Sequence, residues 1–334
     1  MTMAKRRRIL LSIGPGTLPS QGRDRLDFTS YNARLSGKPP LTGREMVAAL
    51  PEIGAVAEIV FDDEGPHPQA TYEDIRKLAG FLDIAARRED IDGIVWVQGT
   101  NTLEETAFFL NLTVRSGKPL VVVGAQRPFT ALSTDAHLNL LNAVRVAACE
   151  EAAGMGVLTV TNSEIIAARD VTKTSTYQVQ TFRGRDLGVL GYADPDRVVL
   201  YHAARRRHTT RSEFDIQTID ALPMVEVIYP HTGANPKLAQ AAVDLGATGL
   251  VIAGVGAGAL GVFTETVKAL VAKGIAVVRS ARVGEGRVLA YGNNHEEGTI
   301  AADNLNPQKA ALLLSLGLTR TRDPVDLQRI FDEY

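Results

Sequence analysis

The sequence has a single cysteine and no long uninterrupted apolar run. Cys149 excludes an internal disulfide, and nothing beside it indicates a thiolate site. No apolar run is long enough to span a bilayer. The run after the basic residues near the start has only about five apolar residues before Gly14, too few for the core of a signal peptide. We therefore expect a cytoplasmic protein.

Neither sign of charge dominates, since the chain has 36 basic and 38 acidic residues. This balance gives no bulk attraction to nucleic acid or to an anionic membrane, so we expect neither as a partner. Internal repeats and low-complexity tracts are also missing. The length of 334 residues predicts two domains.

Short apolar runs bounded by turn residues alternate with helical periods in the first part of the chain. The runs that predict strands are 8–13, 57–62, 93–98, 119–125 and 156–162. Helical periods cover 72–86, a stretch opening at Leu103, and 135–148. Apolar strands separated by helices predict a parallel sheet covered on both faces.

Two details of these helices can be predicted as well. Thr102 and Glu105 have the spacing of a capping box at the start of the second helix. Leu138, Leu141 and Val144 predict the buried stripe of the third helix.

A polar segment with a basic run, residues 203–222, predicts an interdomain linker. After it the alternation resumes, with strands predicted at 224–230, 248–256 and 276–282 and a last helix near 307–316. The fold class is therefore α/β, with a larger N-terminal parallel-sheet domain (1–202) and a smaller C-terminal α/β domain (223–334).

Polar groups follow several of the predicted strands. Ligands of open parallel sheets bind beyond the carboxyl ends of the strands, which is where Thr17, Thr100 and Lys173 lie. Each signal alone is weak, because a threonine beside glycine is typical of a helix cap and a lone loop lysine is usually solvated.

Taken together, these motifs resemble the bacterial-type L-asparaginase/glutaminase family of amidohydrolases over nearly the whole chain. The resemblance rests on the segments GPGTL, QGTNTLEETAFFLNLT, VVVGAQRPFTALSTDAHLNLLNAV, ARDVTKT, AGVGAG, AVVRSARV and the C-terminal LNPQKAALLLSLGLTRTRDPVDLQRIFDEY.

The resemblance implies a catalytic role for four residues. Thr17 matches the first family threonine, the nucleophile, and Thr100 matches the second, which is held by a lysine matched by Lys173. Such hydroxyls are weak nucleophiles that need a nearby proton acceptor or a desolvated lysine. Tyr31 is the candidate for the tyrosine that assists the first threonine, because no other tyrosine precedes Tyr72.

The chain differs from the family at several residues that bind the amino-acid substrate. Asn101 replaces the acid after the second threonine, and Gln98 replaces the histidine before the Gly-Thr pair. Glu64 and Gly65 fall near a Ser-Gln pair, and Tyr291 falls near an acid of the C-terminal domain. The residues that the resemblance assigns to substrate binding are Asn101, Glu64, Gly99, Gln126 and Tyr291.

These observations predict an asparaginase-like amidohydrolase that cleaves a carboxamide or lactam by threonine nucleophile chemistry. Its substrate is expected to differ from L-asparagine, because the groups that would bind an α-ammonium are replaced. No cofactor or metal is expected. The family also implies a homotetramer, a dimer of dimers.

Two alternatives stay open. A small-molecule-binding protein that has lost catalysis would explain the replaced acids. The spacing of Gly256, Gly258 and Gly261, with Arg282 after the next strand, is also compatible with a nucleotide-dependent oxidoreductase.

Overall fold

A computed structural model describes residues 6–65 and 67–334, and these divide into two units between Ile216 and Gln217. The first five residues of the predicted N-terminal domain lie outside the described part. Within the predicted linker, Phe214 is buried and the Ser212 hydroxyl donates to the carbonyl of Leu112. The end of the first unit therefore has buried side chains of its own. The boundaries at 202 and 223 stay predictions.

The strands of the first unit include all five apolar runs that predicted strands. They are β1 (Arg8–Ile13), β2 (Glu58–Phe61), β3 (Gly93–Val97), β4 (Leu120–Val123), β5 (Val157–Thr161), β6 (Glu164–Ala167), β7 (Thr172–Lys173), β8 (Phe182–Arg183), β9 (Gly191–Ala193) and β10 (Val198–Leu200). The helices are α1 (Ala33–Ser36), α2 (Gly43–Ala49), α3 (Glu52–Val56), α4 (Tyr72–Arg87), α5 (Leu103–Thr113) and α6 (Ala136–Ala147).

The main sheet of this unit has the order β10-β9-β6-β5-β4-β3-β1-β2 in the described residues. Strands β1 to β5 pair in parallel, which confirms the predicted parallel sheet. An antiparallel edge of β6, β9 and β10 was not predicted. It begins at a tight turn where Asn162 and Ser163 both have positive φ (52° and 63°), the backbone of a two-residue hairpin.

One predicted helix detail is wrong, and another is right only in part. The Thr102 side chain makes no capping bond to α5, because its backbone (φ −120°, ψ 18°) is not the extended one that aims a capping oxygen at the first turn. In α6, Leu138 is 53% exposed where the stripe was predicted to be buried, whereas Val144 is buried as predicted, together with Leu140 and Ala143. These side chains pack in one core with the sheet, so the sheet sets which face of α6 is buried.

The second unit is a parallel sheet of order β11-β12-β13-β14 in its described residues. Its strands are β11 (Val225–Ile228), β12 (Gly249–Gly254), β13 (Ala276–Ala281) and β14 (Ile300–Ala301), and its helices are α7 (Lys237–Asp244), α8 (Thr264–Ala272), α9 (Pro307–Leu318) and α10 (Pro324–Glu333). The three predicted strands and the last predicted helix are present. The short β14 and the terminal α10 were not predicted.

The glycines that suggested a dinucleotide fingerprint have another role. Val255 and Ala259 pair as an antiparallel bridge, so Gly256 and Gly258 lie in a tight turn that reverses the chain direction. A 3-10 turn, Gly261–Phe263, then separates this turn from α8. A fingerprint needs a strand that leads through the glycines directly into a helix. This geometry removes the basis of the oxidoreductase alternative.

In the described ranges, no helix has both the length and the apolar character needed to cross a membrane.

Candidate active site

Two turns at the carboxyl edge of the main sheet are locked together. The Gly14 N–H donates to Val97 O at 2.7 Å, and the Gly99 N–H donates to Pro15 O at 2.9 Å. A Cβ on Gly16 would lie 2.2 Å from the Gly99 nitrogen, so only glycine permits this approach. The turn after β1 and the turn after β3 therefore form one rigid surface.

The first of these turns carries Thr17, which is nine-tenths buried. Its Oγ1 lies 3.1 Å from the hydroxyl oxygen of Tyr31, a half-buried residue just before α1. Either oxygen can be the donor. The structure thus brings together the predicted nucleophile and the tyrosine predicted to assist it.

The second turn carries Thr100, also nine-tenths buried, at the centre of a hydrogen-bonded chain. Lys173 Nζ donates to Thr100 Oγ1 at 2.7 Å, and Thr100 Oγ1 donates to Gln126 Oε1 at 3.1 Å. The Gln126 amide donates to the carbonyls of Thr176 and Gln178 at 3.1 and 3.3 Å. The amide is thereby oriented with its oxygen towards Thr100.

Lys173 reaches this site from β7, and its surroundings set its charge. Burial lowers the pKa of the Lys173 ammonium, while the carboxylate of Glu104 acts in the opposite direction. Glu104 also accepts the backbone N–H of Lys173 at 2.8 Å. A larger fraction of this amine is therefore neutral near pH 7 than for an exposed lysine.

The two substitutions around Thr100 face different surroundings. Gln98 is wholly buried, and its Oε1 accepts from the Trp96 indole N–H at 2.6 Å. Asn101 is exposed, so its side chain is available to a ligand. Gln98 is thus committed to the protein interior, and Asn101 is the substitution that faces solvent beside Thr100.

The loop after β2 makes polar contacts that were not predicted from the sequence. The Glu64 side chain is exposed, whereas the nearby Asp62 side chain is only 2% exposed. Asp62 Oδ2 accepts from Ser12 Oγ at 2.5 Å and bonds His67 Nε2 at 2.8 Å. Gln69 Nε2 donates to Pro15 O at 3.3 Å, which ties this loop to the Thr17 turn.

The sequence-based prediction also missed Gln69, which lies in this loop. Its Oε1 is buried and has no hydrogen-bond partner among the described residues. Its position between a strand and the capping residue Thr71 of α4 was the available signal.

Tyr291, predicted to bind substrate, lies in the second unit, where its side chain is 70% exposed. In the described part of the chain, no group of three or more histidine, cysteine or acidic side chains is placed to hold a metal ion.

Two family profiles match almost the whole chain. The profile "Asparaginase, N-terminal" matches residues 9–206, and "Glutaminase/Asparaginase C-terminal domain" matches residues 224–331. L-asparaginase 2 of Bacillus subtilis (strain 168) is 40% identical over 323 residues, which are 96% of this chain and 84% of that protein. The glutaminase-asparaginase of Acinetobacter glutaminasificans is 36% identical, over 96% of this chain and 97% of that one.

A crystal structure gives the same result for the fold. A probable cytoplasmic L-asparaginase from Campylobacter jejuni superposes with a TM-score of 0.90 at 35% identity, covering 99% of this chain and 100% of that chain. The chain belongs to the asparaginase family.

As a member of the asparaginase family, the protein is an amidohydrolase acting on carbon–nitrogen bonds other than peptide bonds. This confirms the predicted family, fold and enzyme class. The substitution at Asn101 is the departure from the family pattern that changes the charge of an exposed position beside Thr100.

Proposed function

We propose that the protein hydrolyses a carboxamide or lactam through threonine nucleophile chemistry, and that its substrate differs from L-asparagine. The observation that carries the chemistry is the 2.7 Å contact of Lys173 Nζ with Thr100 Oγ1, on a turn locked to the one that carries Thr17. A desolvated lysine beside a hydroxyl is the arrangement that activates such a group.

In the proposed reaction, Thr17 Oγ1 attacks the carbonyl carbon and forms an ester as the carbon–nitrogen bond breaks. The hydroxyl proton of Thr17 passes by way of Tyr31 Oη to the leaving nitrogen, which departs as ammonia or stays attached when a lactam opens. Backbone N–H groups at the start of α5 stabilise the oxyanion. Neutral Lys173 then accepts the Thr100 proton, Thr100 accepts one from water, and the resulting hydroxide attacks the ester carbonyl. The carbon–oxygen bond to Thr17 breaks, the proton of the new carboxylic acid returns to Thr17 Oγ1 by way of Tyr31 Oη, and the Lys173 ammonium releases its proton to solvent as the carboxylate leaves.

The carboxylates near this edge of the first unit support a substrate without an α-ammonium group. Glu104 accepts from the Lys173 backbone, and Asp62 from Ser12. Asp135 accepts from the backbone N–H groups that follow β4. An ammonium taken from water needs a carboxylate partner, because an unpaired buried charge costs several kcal/mol. The exposed Glu64 is the candidate for replacing part of the charge missing at Asn101.

A panel of amides tests this proposal. Asparagine, glutamine, simple amides, lactams and cyclic imides would be compared by ammonia release and by carboxylate formation. We expect turnover of neutral amides or lactams and a KM for L-asparagine above about 1 mM, the upper end of the usual range. Efficient hydrolysis of L-asparagine would contradict the substrate assignment. If no amide yields ammonia or carboxylate, the alternative of a binding protein without catalysis would be favoured.

Asn101→Asp is the matched variant for this panel. Restoring a carboxylate beside Thr100 is expected to improve activity on α-amino amides relative to neutral ones, while Asn101→Ala should not. A substrate preference unchanged in Asn101→Asp would mean that Asn101 is only a turn residue.

We also propose, from the family resemblance, a homotetramer built as a dimer of dimers and a cytoplasmic location. Sedimentation equilibrium is expected to give the mass of four chains, and cell fractionation is expected to recover the protein with cytoplasmic enzymes. An active monomer would contradict the assembly.

A further inference from the structure

A cavity of about 470 Å³ lies in the first unit between the ends of β1 and β2 and the start of α2. Apolar side chains form most of its wall: Leu11, Ile13, Pro19, Pro40, Leu41 and Phe61. This volume is within the usual range for a small-molecule site.

The cavity shares its wall with the turn that carries Thr17. Gly14 and Pro15 precede Thr17 in that turn, and Pro19 follows it; all three line the cavity. The Leu41 N–H donates to Pro19 O at 2.7 Å, which fixes the segment before α2 against the same turn. Thr17 itself does not line the cavity, but residues on both sides of it in the chain do, so the cavity begins within three residues of the proposed nucleophile.

Gly43 lets α2 approach the apolar wall closely. A Cβ at this position would lie 3.0 Å from Ile13 Cδ1 and 3.3 Å from Phe61 Cδ1. Gly43 is the first residue of α2 and its φ is not positive, so the helix itself does not require glycine. A side chain here would therefore press on Ile13 and Phe61, both of which line the cavity, and would reshape the apolar space without requiring a strained backbone.

The charged residues in the wall are already paired. Arg44 lies over the Phe61 ring at 4.5 Å and contacts Asp63 at 3.2 Å, with both charges exposed at the rim. Asp62 accepts from Ser12 and bonds His67. The lining therefore suits an uncharged carbon skeleton, since a charged group would lose its hydration without gaining a free partner.

We propose that this cavity binds an aliphatic or alicyclic carbon skeleton on the acyl side of the substrate amide. The inference rests on the proposed function and names its substrate class, an amide of a medium-length apolar acid.

Binding of the product acids to Thr17→Ala tests the proposal without turnover. Acetate, butyrate and hexanoate would be titrated calorimetrically into this otherwise intact protein. Each methylene moved into an apolar site is worth about fourfold in affinity. Allowing for partial burial, we expect hexanoate to bind at least about tenfold more tightly than acetate.

Three further variants, each made in Thr17→Ala, assign the effect to the cavity. Gly43→Val should remove most of the advantage of hexanoate. Gly54→Val is the control, because Gly54 lies in the next short helix with nothing within 4 Å of an added Cβ. Leu41→Ala should enlarge the space and favour bulkier acids such as cyclohexanecarboxylate, and it keeps the test decisive if Gly43→Val does not fold.

The outcomes separate this inference from the proposed function. Equal affinities for acetate and hexanoate, or a hexanoate affinity unaffected by Gly43→Val, would overturn the cavity assignment even if amides are hydrolysed. A chain-length effect abolished by Gly43→Val would support it even if no amide in the panel releases ammonia, a result that would refute only the proposed chemistry.

Discussion

Thr17→Ala and Thr100→Val are each expected to lower kcat/KM by at least about a hundredfold, the scale of removing one positioned catalytic group. Thr17 supplies the attacking oxygen in the proposed reaction, and Thr100 connects Lys173 to the attacking water. Both side chains are nine-tenths buried on locked turns, so each hydroxyl has a fixed position that a mobile solvent molecule does not reproduce. The measurement is steady-state hydrolysis of the best amide in the panel.

Thr102→Ala is the matched control for these two variants. Thr102 lies two residues after Thr100, and its side chain does not cap α5. We expect its activity to stay within about threefold of the wild type and its melting temperature to change little, as for most surface substitutions. Near-wild-type turnover by Thr17→Ala would refute the nucleophile assignment, whatever the result for Thr100.

Much of this arrangement can be predicted from local sequence. Strand β1 and its Gly-Pro-Gly-Thr turn, and strand β3 and its Gly-Thr-Asn-Thr turn, are short contiguous signals. Parallel strands bring such turns to one edge, which is why Thr17 and Thr100 belong to one candidate site. The distance between Lys173 and Thr100 in sequence is large, and only the family resemblance connected them before the structure did.

Contacts between loops were harder to predict. The carboxylate of Asp62 is buried because Ser12 and His67 both reach it, and neither contact has a local sequence pattern. Gln69 meets the Thr17 turn for the same reason: it depends on how α4 is set against β1. The exposure of Leu138 in α6 has a related cause, since a helix rich in apolar residues offers two faces and only the sheet selects one.

Lys173→Met is expected to lower kcat/KM near pH 7 by at least about a hundredfold, because it removes the proposed base and leaves Thr100 with Gln126 alone. Lys173→Arg should not restore activity, since an arginine keeps the positive charge but does not deprotonate in a protein. Lys77→Met is the control: it removes an exposed lysine from a surface ion pair on α4 and should leave turnover unchanged. High activity in Lys173→Arg would show that the charge, rather than proton transfer, is what Thr100 needs.

The pH profile tests the same assignment from the opposite direction. If neutral Lys173 is the base, kcat/KM rises with pH through its pKa, and the lowered pKa produced by burial places this ascending limb at lower pH than an exposed lysine would. Asn101→Asp adds a carboxylate beside Thr100, which favours the ammonium form and raises that pKa. The limb should therefore move to higher pH in Asn101→Asp, so that the native reaction is slower near pH 7 and recovers in alkaline buffer. High salt should reduce the displacement, because Asn101 is exposed and the added charge is screened. A pH–rate profile of Asn101→Asp that overlays the wild type, with no change in substrate preference, would mean that Asn101 is only a turn residue.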